Sequence, residues 1–115
     1  MATSLPDITL ARTIADAVRA LPEVVALDGG PLGAQATYGR GERVMGVRLR
    51  PDGDPQRIEV RVVLRYTREP TLNIIAERIR QRVRQTLERL GAPYTTVDVI
   101  IADLADDPSS EASTT

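Results

Sequence analysis

The chain has 115 residues, 42% of them hydrophobic, and a formal net charge of −1, which fits one domain with an aliphatic core. It contains no His, Cys or Lys, which excludes histidine general bases, thiolate nucleophiles, Schiff bases and Cys/His zinc sites. The near-zero charge argues against a strong field for nucleic acid, and no apolar run reaches the roughly 18 residues of a membrane span.

All 15 basic residues are arginines. Two interpretations of this bias stand: codon usage in a GC-rich bacterial genome, or selection for bidentate contacts to phosphate or carboxylate groups, which arginine makes and lysine does not. The N-terminus lacks the basic segment and apolar run of a signal peptide, so we expect a cytoplasmic protein without direct membrane insertion.

The first part of the chain predicts one helix and then weaker strands. A capping box at Ser4 and Asp7 indicates the start of this helix, and Pro22 indicates its end. The Asp-Gly-Gly-Pro-Leu-Gly sequence that follows is typical of a loop. Two short strand candidates flank this loop at residues 28–33: residues 23–27 and residues 34–38.

A β-hairpin is predicted around residues 51–56, a turn cluster between two alternating runs. We expect Arg50 to lie opposite Arg57, since a slip by one residue would scatter the apolar pattern. This register also places Arg48 opposite Glu59, an opposite-charge pair across the strands. Three apolar pairs then share the other face: Leu49 with Ile58, Val47 with Val60, and Met45 with Val62.

A second helix is predicted from Leu72 to Leu90, where Gly91 ends it. Its apolar positions lie within about 120° of arc at 100° per residue. Those positions are Leu72, Ile75, Ala76, Ile79, Val83, Leu87 and Leu90. Alternation from Thr95 to Ala102 predicts a last strand, which a helical crossover makes parallel to the strand before it. Its place, beside that strand or beyond the hairpin partner, stays open.

Together these elements predict an α+β domain over residues 1–104, in the order α-β-β-α-β. One layer is a three-stranded mixed sheet, which one short added strand could extend to four. The other layer consists of the two helices, packed on one face of that sheet. Residues 105–115 are acidic and rich in Ser and Thr, so we predict a disordered tail that buries too little apolar surface to fold.

If both helices cover one face of the sheet, the opposite face has an apolar centre and an arginine rim. Protein interfaces have this composition. Two hypotheses follow: the face binds another protein, or the first helix or the loop around Tyr38 covers its apolar residues. The candidate protein interface consists of Val44, Arg48, Arg61, Val63, Arg65 and Ile100.

Other candidate sites are weaker. Residues 30–33 match the G-x-x-G of KH domains, which keeps a small arginine-rich nucleic-acid-binding domain open as the alternative, although the loop has no basic residue. Asp52 and Asp54 flank Gly53 between two prolines, which favours a turn over a cation site. An enzyme that uses carboxylates alone is a third possibility. We predict no catalytic residue, cofactor or metal.

Four parts of the chain form a familiar set: the opening helix and turn (residues 14–18 and 22–24), the central strand and helix (60–66 and 75–79), the last strand (97–101), and residues 37–44. They resemble the alkaline shock protein family, the envelope stress response proteins of Gram-positive bacteria, and the likeness covers most of residues 8–104. Residues 37–44 are similar to short members of this family from high-GC bacteria. Two departures are Thr67, where a glycine is usual, and a longer loop at residues 51–56.

This resemblance implies a non-enzymatic cytoplasmic scaffold that supports tolerance of cell-envelope stress through protein–protein contacts near the membrane. It implies a protein partner, such as a small membrane-anchored protein or a second copy of the chain, and no nucleic-acid ligand. The family offers no active-site residues to look for here.

Overall fold

A computed structural model describes residues 5–39, 41–50, 56–92, 94 and 96–105. These residues form two helices, α1 (Asp7–Arg19) and α2 (Leu72–Leu90). The strands are β1 (Val24–Leu27), β2 (Ala36–Gly39), β3 (Glu42–Met45), β4 (Val47–Arg50), β5 (Arg57–Arg65) and β6 (Thr96–Ala105). The predicted α+β class with a mixed sheet is therefore confirmed, and the sheet around β5 has four strands.

Strand β5 is the centre of this sheet. β6 lies parallel along one side of β5, while β4 and β1 lie end to end along the other side, both antiparallel to it. Val47 lies opposite Val60 and Arg48 opposite Glu59, so the predicted hairpin register is confirmed over β4. The last strand lies beside β5, the first of the two positions that the sequence left open.

The neighbour of β5 changes from β4 to β1 at Arg61. The N–H of Arg61 donates to the carbonyl oxygen of Gly46 at 2.8 Å, while its carbonyl accepts from the N–H of Asp28 at 2.9 Å. Gly46 has φ of +81°, in the left-handed region that favours glycine. The chain before Gly46 therefore leaves β5, and β3 pairs with β2 in a separate hairpin.

This change of partner corrects one predicted pair. Met45 does not face Val62, because β3 has already left the sheet at that point; it lies opposite Ala36 of β2. Leu27 of β1 takes the place opposite Val62. The hairpin prediction thus holds for β4 and is wrong beyond Gly46.

Both helices pack on one face of the sheet. α2 has the predicted bounds and ends at Gly91, which has φ of +66°. The helical pattern predicts Leu72 in the core, but Leu72 is 37% exposed. It lies on the apolar arc of α2, so its exposure follows from its position at the helix end, and Thr86 is buried instead. Ser4 of the predicted capping box lies outside the described residues, and the N-cap Pro6 makes no side-chain cap.

The core lies between these helices and β5 and is aliphatic, as the composition requires. Its fully buried large side chains are Ile14, Val18, Val47, Ile58, Val60, Val62, Leu64, Ile75, Ile79 and Val83. β6 continues to Ala105, the first residue of the predicted tail, and residues 106–115 lie outside the described part of the chain.

Candidate protein interface

The sheet has a second face that no helix covers among the described residues. β5 alternates between buried residues, which face the helices, and less buried residues, which point the other way. We call the side chains that point away from the helices the outward face. It includes Arg48 and Arg50 of β4, Arg57, Glu59, Arg61, Val63 and Arg65 of β5, and Asp98 and Ile100 of β6.

Val44 does not belong to this face, which corrects the sequence-based expectation. Val44 is only 6% exposed and is part of the core cluster beneath α1. The alternation of inward and outward residues is interrupted at Gly46, so Val44 and Val47 both face the core. An isolated glycine within a strand pattern is a known sign of such an irregularity.

Most arginines of the outward face already have partners within the chain. Three ion pairs join Arg57 Nε to Asp98 Oδ2 at 3.2 Å, Arg50 Nε to Glu59 Oε1 at 3.3 Å, and Arg61 Nε to Asp28 Oδ2 at 2.8 Å. The second of these is an ion pair without hydrogen-bond geometry, since Glu59 Oε1 accepts no hydrogen bond from the described residues. The predicted arginine rim is therefore largely neutralised.

The loop at residues 28–35 covers one end of the outward face. Its Asp28 binds Arg61, and the amide oxygen of its Gln35 accepts from Arg48 Nη1 at 3.4 Å. The loop lies directly against β5, since a Cβ on Gly30 would be 3.6 Å from Arg61 Cδ. This loop covers Arg48 and Arg61 at one end of the face, and it is not the loop around Tyr38 that the sequence suggested.

The other end of the outward face stays open. Val63 and Ile100 are half-buried and are not among the residues packed against the core cluster. Arg65 is exposed, and no ion pair with it is found in the described part of the chain. We call Val63, Arg65 and Ile100 the open patch. The structure thus places three of the six predicted interface residues on the uncovered part of one face, and it places Arg48 and Arg61 under the loop.

The pair of Asp28 and Arg61 fastens this loop to the sheet. The hydrogen bond from Arg61 lowers the pKa of the Asp28 carboxyl, and a backbone hydrogen bond from Gly30 acts in the same direction. Sequence reasoning missed this contact because the two residues are distant in the chain. In the sequence, the only sign of this contact is that Asp28 precedes a pair of glycines.

We expect the stabilising effect of Asp28 to depend on pH. Because the folded-state pKa is lowered, this contribution is present above the unfolded pKa of about 4 and is lost as the pH falls through the folded value. The difference in melting temperature between the wild type and Asp28→Asn should therefore be constant near neutral pH and shrink below about pH 4. In an Arg61→Gln background, the difference in melting temperature between the same two proteins should not shrink at low pH. If it shrinks there as much as it does with Arg61 present, Arg61 is not the cause of the lowered pKa.

A second concave surface lies between α1, β1 and β3. This groove of about 550 Å³ is lined by Val25, Leu27 and Met45 and by three arginines, Arg12, Arg19 and Arg43. Arg12 is paired with Glu42, and Arg19 Nη2 lies 3.9 Å from Asp16 Oδ1. Among the described residues no group of three His, Cys, Asp or Glu side chains could hold a metal ion. The groove has no arrangement of groups that indicates a reaction.

The G-x-x-G segment forms a short 3₁₀ turn, Pro31–Gly33, between β1 and β2. In a KH domain the corresponding loop joins two helices and clamps a nucleic-acid backbone. Here the turn joins two strands, and its tip is the fully exposed Leu32. The local structure therefore differs from the one that the KH alternative requires.

α2 is long enough for a bilayer, but arginine and glutamate recur along it, and within the described ranges no helix is both long and apolar enough to cross a membrane.

Comparison with known proteins gives a short result. Neither a family model, a curated protein nor a solved structure matches the chain. The function must accordingly be argued from the geometry of the surface and from the resemblance of the segments described above.

Proposed function

We propose that this chain is a non-enzymatic binding protein of the alkaline-shock type, which supports cell-envelope stress tolerance by holding a protein partner near the membrane. The open patch carries this proposal. Val63 and Ile100 remain half-exposed in the middle of regular strands, and the guanidinium of Arg65 lies on the same face. Apolar residues with an arginine at their edge are typical of protein interfaces.

The charges around the patch favour a protein partner over a nucleic acid. The neighbouring arginines Arg57 and Arg61 are already bound by carboxylates of this chain, so they contribute little net positive charge. A polyanion is bound by uncompensated Lys and Arg, which release its counterions. A partner protein needs only an apolar surface and one acidic group opposite Arg65, since arginine binds a carboxylate in a bidentate geometry.

The resemblance to the alkaline shock family supports the same class of function. The similar segments include residues 60–66 and residues 97–101, which contain β5 and β6 residues of the open patch. The partner that this family implies is a small membrane-anchored protein. The chain would then act at the membrane through that partner.

We expect the double variant Val63→Ser with Arg65→Glu to lose the partner without losing the fold. Both residues lie on the outward face, so their replacement leaves the core intact. In pull-downs from detergent-solubilised membranes of the native host, recovery of a stoichiometric partner should fall by at least about tenfold, which corresponds to roughly 1.4 kcal/mol of binding free energy.

A matched control is Val25→Ser with Arg43→Glu, which makes the same two replacements on the groove beside β1 and β3. It should retain the partner. If both double variants recover the partner at the wild-type level, the open patch does not bind it. A dissociation constant for RNA or DNA tighter than roughly micromolar, with a steep dependence on salt, would favour the nucleic-acid alternative instead.

A further inference from the structure

Strand β6 has one unpaired edge. In the part of the chain that the structure describes, β6 pairs with β5 alone. The N–H of Thr96 donates to the carbonyl of Gln56 at 3.2 Å, so the main-chain groups of Thr96 point toward β5. In a parallel ladder these groups alternate in direction along the strand. The N–H and C=O groups of Val97, Val99 and Ile101 therefore point away from β5.

Side chains cap both ends of this edge. Arg80 Nε donates to the outward carbonyl of Val97 at 3.2 Å. The register of β6 shifts by one residue opposite Val62 and Val63, which turns the N–H of Leu104 outward, and this N–H donates to Asp103 Oδ1 at 2.8 Å. Between the two caps, the structure shows no partner among the described residues for the N–H and C=O groups of Val99 and Ile101.

We infer that a second copy of this chain pairs with the uncapped stretch, β6 against β6, antiparallel about a two-fold axis at Ile100. In an antiparallel ladder, residues whose main-chain groups both point to the partner exchange two hydrogen bonds. Val99 of each copy would exchange two with Ile101 of the other, which gives four in total. An exposed edge of this kind is a template for another strand.

The charges at the two ends determine the direction of pairing. The cation of Arg80 marks one end of the stretch and the carboxylate of Asp103 marks the other. A two-fold antiparallel arrangement places the end marked by Arg80 in each copy beside the end marked by Asp103 in the other, whereas a parallel one would place like charges at the same end. Arg80 also contacts Glu77, and its five N–H donors suffice for both carboxylates. The contact is isologous, so it closes as a dimer.

This arrangement also extends the open patch. Ile100 sits at the two-fold axis, where residues directly opposite have Cβ atoms about 4.5–5.5 Å apart. The two Ile100 side chains would be neighbours, and the open patches of the two copies would form one continuous apolar strip. The inference goes beyond the proposed function and does not rest on it, since the dimer forms through the main chain of β6 whatever the patch binds.

A cysteine introduced at Ile100 tests the register directly, because the chain contains no cysteine of its own. Ile100→Cys should form a covalent dimer under mild oxidation. Val63→Cys is the matched control on the same face, one strand farther from the axis. Three strand spacings alone put the two copies of Val63 at least about 14 Å apart, whereas a disulfide needs Cα atoms within about 7 Å.

A proline series tests the hydrogen bonds. Val99→Pro removes an N–H that points to the second copy, while Ile100→Pro removes one that bonds to β5. In sedimentation experiments Val99→Pro should be a folded monomer, and Ile100→Pro should lose thermal stability. If the wild-type protein sediments as a monomer at about 100 µM, its self-association is weaker than that of a usual specific interface, and the inference is overturned. Oxidised dimers from Val63→Cys but not from Ile100→Cys would overturn it too, in favour of face-to-face association.

Discussion

The Val60→Asp variant is expected to be unfolded at 25 °C. Val60 is fully buried in the centre of β5, between Val47 on β4 and Val99 on β6. The core cluster to which Val60 belongs consists of hydrophobic residues. An unpaired carboxylate buried there costs several kcal/mol, or takes up a proton at a similar cost, against a total stability of about 5–15 kcal/mol for a domain. Circular dichroism melts would measure the loss.

Val63→Asp is the matched control for this experiment. It makes the same exchange on the same strand, three residues later, but on the outward face where Val63 is half-exposed. The carboxylate can stay hydrated there, so we expect a melt close to that of the wild type. Similar losses in the two variants would mean that Val63 is also covered, and the open patch would then not exist in solution.

A second large effect is expected for Gly46→Ala. Gly46 has φ of +81°, and a Cβ at this position would lie 2.7 Å from Leu27 Cβ and 2.9 Å from the carbonyl oxygen of Arg61. Both neighbours belong to the paired strands β1 and β5, so neither can move without breaking the ladder. We expect a loss of about 3 kcal/mol or more in the free energy of unfolding, measured by urea denaturation.

Gly41→Ala separates the cost of the left-handed conformation from the cost of the close contacts. Gly41 has φ of +73°, yet a Cβ there would meet nothing within 4 Å. Its replacement should therefore cost only the left-handed conformation, roughly 1–2 kcal/mol. If both alanine variants lose the same amount, the close contact of Gly46 with β1 and β5 contributes nothing, and a glycine is needed at Gly46 only for its left-handed conformation.

The parts of the fold that local patterns determine could be predicted from the sequence. α2 has the predicted bounds because its apolar period and Gly91 are both local signals. The pairing of β4 with β5 follows from alternation on either side of one turn. The direction of β6 follows from the helical crossover, but its neighbour does not, because either side of the hairpin satisfies the same rule.

The parts that depend on distant residues could not be predicted. Alternation counted through Gly46 predicts Val44 on the outward face, and only the presence of β1 beside β5 shows that the strand must bend there. The ion pair of Arg61 with Asp28 has the same origin, since a loop far away in the sequence supplies the carboxylate. Spacing along the chain reports which residues share a face, not which loop folds over it.

The central position of β5 also has a consequence for synthesis on the ribosome. β5 can pair with β4 as soon as their hairpin has emerged, and β1 precedes both in the chain. The edge of β5 that faces β6 must wait until α2 and β6 have been translated. During this interval the apolar side chains of β5 lie next to an unpaired strand edge, the kind of surface that chaperones protect in nascent chains.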